Sequence, residues 1–161
     1  MRIFVPIQFQ KYTMKRILIF LPLALLFVQC NDDDDQSEID RDIILNYIAE
    51  NELEAEHLGN DLYYVDEETG TGPNPNASSS VRVAYKGYFT NGQVFDESDS
   101  EGVVFGLNQV IRGWTIGIPY FKVGGRGKLL IPSALAYGSN PRQGIPANSV
   151  LIFDIHLIDV F

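Results

Sequence analysis

The sequence predicts an α+β fold: a curved antiparallel β-sheet wrapped around one short α-helix, with an N-terminal signal segment and a short helical extension ahead of it. Three observations support this. From residue 62 onward, short apolar runs with alternating polarity recur between clusters of Gly, Pro, Asn and Ser, the signature of strands joined by turns. Within that region only the stretch 105–117, FGLNQVIRGWTIG, ends in a helical pattern, and it holds the one tryptophan of the chain, Trp114. A helix this short that contains Gly113 and Gly117 cannot stand alone, because each glycine costs about 1 kcal/mol against alanine. A sheet around it is the simplest support. The 161 residues leave room for one domain plus appendages, which divide into a signal segment 1–29, a tether with a short helix 30–60 and a sheet domain 61–161.

In chain order, Ser37-Glu38-Ile39-Asp40 has the pattern of a helix N-terminus with Ser37 as cap. Ile39, Ile43, Ile44, Tyr47 and Ile48 follow at helical spacing to about Asn51. This helix is expected to pack on the following domain or on a partner chain. His57, next to the Gly59-Asn60 break, reads as a structural histidine. Residues 62–65 are a short strand and 70–80 a loop. The strand 81–90 runs into Asn91-Gly92, a type I′ hairpin signal, and Gln93-Val94-Phe95 returns. Pro119 is expected to end the tryptophan turn, and 120–123 and 127–131 read as two further strands across Gly124-Gly125. Residues 133–149 form a long loop. The last strand, 150–160, puts Phe153, Ile155 and Leu157 on one face and leaves Asp154 and His156 solvated on the other.

Charge narrows the function classes. The chain has 12 basic and 21 acidic residues, a net charge of −9. Arg2, Lys11, Lys15 and Arg16 precede Cys30 and no acidic residue does, so a chain starting at Cys30 carries 8 basic against 21 acidic residues, a net of −13. Such a surface repels phosphate backbones, which argues against nucleic acid as a partner. One cysteine forms no internal disulfide, and two scattered histidines leave too few ligands for zinc. No metal or cofactor is expected.

Residues 14–30, MKRILIFLPLALLFVQC, set two cations before an apolar run over 17–28. The run is too short to span a bilayer but suits a signal-peptide core, with Met14 as the candidate start. It stops at Cys30, which resembles the acylated cysteine of a bacterial lipoprotein lipobox, although Phe27-Val28-Gln29 lacks the usual small residue before it. An ordinary secretory signal is the alternative. The run Asn31-Asp32-Asp33-Asp34-Asp35 is either a solvated tether or, after a lipobox, a segment resembling signals that export lipoproteins to the cell surface. Lipidation at Cys30 implies a membrane-anchored envelope protein, on the outer membrane at its periplasmic or surface face.

Seven separated motifs carry a resemblance. They are Tyr85-Lys86-Gly87-Tyr88, Gly92-Gln93-Val94-Phe95-Asp96, Val110-Ile111-Arg112-Gly113-Trp114, Leu130-Ile131-Pro132, Leu135-Ala136-Tyr137-Gly138, Gly144-Ile145-Pro146 and Leu151-Ile152-Phe153-Asp154. In this order they resemble the FKBP-type peptidyl-prolyl cis-trans isomerases over about residues 61–161. The resemblance implies a pocket with Trp114 under a substrate proline ring, Val110 and Ile111 beside it, and the Ile111 N–H on a substrate carbonyl. It implies catalytic roles for the Tyr137 hydroxyl and the Asp96 carboxylate, with Tyr85, Phe95, Phe105, Ile145 and Phe153 as apolar walls. Proline-containing polypeptides are the implied partners, and macrolide inhibitors of the family the implied ligands. Tyr85, Phe105 and Phe153 read equally well as plain core. Val103 stands where some members have an aromatic residue, and no histidine stands near Arg142 where some members carry one.

The chemistry agrees with the residues. No nucleophile–base pair or metal cluster accompanies the aromatic set, so the reaction it suits breaks no bond. Rotation about X-Pro qualifies: the barrier is ~18–20 kcal/mol, and relaxation takes on the order of tens to hundreds of seconds unaided. Resonance holds the amide planar and places partial charge on its oxygen. A dry aromatic pocket stabilises that planar form less than water does, and can grip the twisted form more tightly than either isomer. An acceleration of ~10⁶ needs about 8 kcal/mol of such preference. Two other readings stand beside this one: a non-catalytic chaperone or interaction module that holds proline segments, and a structural surface lipoprotein reusing the fold.

Overall fold

The computed structural model describes residues 32–161, so the signal segment, Met14 and Cys30 lie outside the described residues. Seven strands form one antiparallel sheet: β1 Ala55–His57, β2 Tyr63–Glu68, β3 Ser80–Tyr88, β4 Val94–Glu97, β5 Val103–Gly106, β6 Arg126–Ile131 and β7 Leu151–Val160. Their order is β1-β2-β6-β7-β3-β4, with β5 also paired to β3. Helix α1 (Asp32–Glu50) precedes the sheet, and the short helix α2 (Arg112–Gly117) lies in its concave face. This is the predicted architecture.

Side-chain alternation on the central strands serves two layers at once. On β6, Leu129 and Ile131 join the cluster that includes Trp114, Ile118, Phe121 and Phe153, whereas Leu130 joins Ile44 of α1, Val65, Val150 and Ile152. The two glycines of α2 explain its position. A Cβ on Gly113 would stand 2.5 Å from Ile131 Cγ2, and one on Gly117 would stand 2.5 Å from Leu129 Cδ2. Their absence lets the helix backbone lie directly on β6, and that packing offsets the poor helix propensity.

The outer edge of β3 is shared. Its first half pairs with β5 (Val81↔Phe105, Val83↔Val103) and its second with β4 (Lys86↔Glu97, Gly87↔Asp96). Between them the chain is tied by Ser98, whose N–H donates to Tyr85 O at 3.0 Å and whose Oγ accepts the Tyr85 N–H at 2.9 Å. The register steps from Gly87↔Asp96 to Tyr88↔Val94, which makes Phe95 the extra residue of a bulge.

Several local expectations are corrected. Among the described residues, helix α1 covers Asp32–Glu50, so Asp32 to Asp35 are helical instead of forming a tether, and Ser37 is interior. Aspartates are favoured near a helix N-terminus by its dipole. Ser37 Oγ donates instead to Asp61 Oδ2 at 3.4 Å. Strands β1 and β5 were too short to show periodicity, and β1 starts the sheet ahead of residue 61. In the hairpin only Gly92 has positive φ, +84°. Its N–H donates to Phe89 O at 2.8 Å, and Phe89 N–H donates to Gln93 O at 3.0 Å, the pattern of a type I turn with a glycine bulge and not of type I′.

Residues 120–123 are not a strand, and Pro119 does not end the turn. It sits at the start of a 3-10 helix, Ile118–Tyr120, that continues α2. Asn74 Nδ2 donates to the carbonyls of Pro119 (3.1 Å) and Phe121 (2.9 Å), satisfying groups a sheet would have taken. The long loop 133–149 opens with another 3-10 turn, Ser133–Leu135. Asp154 is paired as well as solvated, accepting from Tyr88 Oη at 2.8 Å and Lys128 Nζ at 2.7 Å.

Candidate active site

Trp114 is the centre of an aromatic cage. Tyr85, Phe105 and Phe153 meet it edge to face, with ring centroids 5.2, 5.5 and 5.3 Å away, the arrangement that aromatic quadrupoles favour. Phe95 stands edge to face on Phe153 at 5.6 Å. The indole is only 4% exposed, yet it lines a cavity of about 690 Å³ together with Tyr85, Phe95, Asp96, Phe105, Val110, Ile111, Tyr137, Ile145 and Phe153. All ten pocket residues named from the sequence thus border one space. Tyr85, Phe105 and Phe153, which read equally as core or wall, are both: each packs on the buried cluster and each lines the cavity.

Each element positions its share for a local reason. The bulge at Phe95 sets the relation of that ring to Asp96, and Gly87 opposite leaves space for it: a Cβ there would meet the Phe95 ring at 2.7 Å. Val110 and Ile111 lead into α2, where Ile111 is the N-cap with ψ of 149°. The entry to α2 is pinned by Thr115, whose Oγ1 donates to Leu107 O at 2.6 Å. Nothing in the sequence pattern singled out Thr115.

The polar groups are few and defined. Tyr85 Oη donates to Asp96 Oδ2 at 2.7 Å, so its hydroxyl orients the carboxylate, a role beyond the apolar wall expected of it. Burial first, and then the hydrogen bond to Asp96, push the Tyr85 phenol well above its ordinary value, so it stays protonated through neutral and mildly alkaline pH. Among the described residues, neither the Tyr137 hydroxyl nor the Ile111 N–H has a hydrogen-bond partner. The guanidinium of Arg142 lies 5.6 Å from the Tyr137 ring centre, a cation–π distance. Arg142, Gln143, Gln109 and Ala136 also line the cavity and were not among the predicted site residues. Of the two loop side chains, Arg142 stands near the position where some family members carry a histidine, and Gln143 was signalled only by its nearness to Ile145. Among the described residues there is no cluster of His, Cys, Asp or Glu fit to hold a metal, and no helix is long and apolar enough to cross a membrane.

A curved sheet around a glycine-bearing helix, with a tryptophan-floored aromatic cavity, defines a class, and comparison with known proteins identifies it. Residues 72–158 match the family described as FKBP-type peptidyl-prolyl cis-trans isomerase, and the chain belongs to this family of X-Pro isomerases. The FkpA isomerase of Aeromonas hydrophila is 46% identical over 101 residues, 62% of this chain and 38% of that protein. FK506-binding protein 4 of Dictyostelium discoideum is 45% identical over 104 residues, 63% of this chain and 29% of that one. The chain thus spans well under half the length of these relatives. Among solved structures, a peptidyl-prolyl cis-trans isomerase from Pseudomonas syringae aligns with a TM-score of 0.70 and 30% identity over 79% of this chain and 94% of that one. FkpA from Escherichia coli aligns at 0.65 and 39%, over 80% and 59%.

Proposed function

We propose that this chain is an active peptidyl-prolyl isomerase that turns X-Pro bonds in envelope or surface proteins and so assists their folding. The observation that carries the reading is the single cavity bordered by Trp114, Asp96 and Tyr137 together, in a chain of this family. Trp114 is the floor beneath the proline ring, flanked by Val110 and Ile111. The Ile111 N–H takes a substrate carbonyl, and Tyr137 donates its hydroxyl to a carbonyl of the twisted peptide. Asp96, held by Tyr85, is the polar wall beside the rotating amide. Phe95, Phe105, Ile145 and Phe153 exclude water, so the charge-separated planar amide loses solvation that the twisted form needs less. Macrolide inhibitors of the family would compete for the same floor. The anchor for this activity is Cys30, at the end of the apolar run over 17–28.

The test is a protease-coupled assay of the full chain, in mild detergent, on a peptide with one X-Pro bond. Acceleration proportional to protein is expected at micromolar concentration. Tyr137→Phe and Asp96→Ala should each lower kcat/KM about tenfold, equivalent to ~1.4 kcal/mol of transition-state binding. A wild-type rate equal to the uncatalysed one removes the enzyme reading and leaves a module that holds proline segments without turning them. Unchanged rates in both variants would overturn the role assignments alone.

A further inference from the structure

We propose that Asp40 is a positioning residue for the pocket: from α1 it fixes the start of the loop that carries Tyr137, which makes α1 a working part of the catalytic unit. The inference rests on the isomerase reading above.

Asp40 is 1% exposed, and no cation pairs with it among the described residues. Its carboxylate is met instead by directed donors. Oδ1 accepts from Gln36 Nε2 at 2.8 Å, while Oδ2 accepts the Ser133 N–H at 2.7 Å and the Ser133 hydroxyl at 2.5 Å. Ser133 opens the 3-10 turn Ser133–Leu135, whose own N-cap, Pro132, gives no side-chain cap. Asp40 therefore caps that turn from an element 93 residues away in sequence.

What Ser133 holds next is Tyr137. The Ser133 carbonyl accepts the N–H of Ala136 at 2.9 Å and of Gly138 at 2.8 Å, one on each side of Tyr137. Gly138 O in turn accepts the Asn148 N–H at 2.8 Å and closes the base of the loop. One chain of hydrogen bonds thus runs from a buried carboxylate in α1 through Ser133 to the two residues that flank Tyr137, whose hydroxyl the proposed mechanism offers to the substrate. Stability alone does not account for this carboxylate. Apolar contacts of Ile44 with Val65, Leu130, Val150 and Ile152 already dock α1, and a buried charge is a poor stabiliser compared with an apolar side chain of similar size. It does supply geometry, and a displacement of about 1 Å at a catalytic group can cost on the order of a hundredfold in rate. Helix α1 lies wholly outside residues 72–158, the part of the chain that matches the family, so this clasp reaches the pocket from beyond the matched region.

The experiment compares wild type, Asp40→Ala, Asp40→Asn, Ser133→Ala, Tyr137→Phe and the Asp40→Ala/Tyr137→Phe pair, all as full chains kept well below their melting temperatures. Asp40→Ala should lower kcat about tenfold or more with KM changed less than about twofold, because the floor is untouched. Asp40→Asn, whose amide oxygen still accepts from Ser133, should keep most of the rate. The pair should be no slower than the slower single variant, the non-additivity expected of groups acting as a unit. Should Asp40→Ala not fold, Ser133→Ala paired with Tyr137→Phe makes the same comparison. Independently of activity, hydrogen exchange at the Ala136 and Gly138 amides should speed up in Asp40→Ala while β7 amides stay protected. A folded Asp40→Ala chain with wild-type kcat, with effects that multiply those of Tyr137→Phe, or with unchanged exchange at Ala136 and Gly138 overturns the proposal. Because exchange is read without substrate, an inactive wild type would remove the isomerase reading and with it the role in catalysis, while faster or unchanged exchange at Ala136 and Gly138 would still support or overturn the clasp.

Discussion

Tyr85 and Asp96 show how a single hydrogen bond changes what a residue is for. The phenol donates to the carboxylate at 2.7 Å and stays protonated because burial and that bond raise its pKa. Rotation about X-Pro transfers no proton, so kcat/KM should be flat between about pH 6 and 9; a bell-shaped profile in that range would mean that a proton transfer limits the step. His156 carries a pH effect on stability instead. Burial, then Arg126, lower its pKa below the ordinary 6.5. The unfolded chain therefore takes up the proton first as pH falls through 6.5, and this histidine withdraws stability until pH drops below its folded value. Melting temperatures compared at about pH 7.5 and 5.5 should fall less in His156→Gln than in wild type. At this scale the ten cavity-lining residues were legible because their motifs are separated yet ordered along the chain, most of them bearing an aromatic residue. The clasp from Asp40 to Ser133 was not legible, since nothing local to either residue signals the other.

Among the elements, α2 is the one whose sequence looked weakest and whose packing explains it. Gly113 permits contact with Ile131 that any Cβ would break, at 2.5 Å. Gly113→Ala gains about 1 kcal/mol of helix propensity but meets an overpacking cost of ~1–3 kcal/mol. A net loss of about 1 kcal/mol, seen as a melting temperature lower by about 2–4 °C, is the expected outcome. A rise would mean that β6 yields freely. Strands with clear alternation, β3 and β7, were legible in the sequence. Strands β1 and β5 were not, because three or four residues cannot show a period and their pairing is decided by β2 and β3. The segment 120–123 looked like a strand by composition, but the Asn74 side chain took the carbonyls on which a ladder would depend. Such competition is invisible until the chain is folded.

For the molecule as a whole, the sheet supplies a rigid concave wall, α2 its floor, and α1 a brace from the opposite face. Beyond the described residues, the proposed anchor makes a separate prediction. Labelled palmitate should enter the wild-type chain in a bacterial host and be lost in Cys30→Ser; label that survives the substitution refutes the anchor without touching the pocket. In the proposed mechanism, a water-poor cup floored by Trp114 favours the twisted prolyl amide over both planar isomers. Exchange NMR on an X-Pro peptide, followed alongside the fluorescence of the single tryptophan, tests it most directly. Cis–trans exchange should quicken with protein concentration and be lost in the Asp96→Ala/Tyr137→Phe chain, while the peptide still perturbs Trp114. Peptide that binds and shifts Trp114 fluorescence, yet exchanges at its unaided rate in the presence of the wild-type chain, would contradict it.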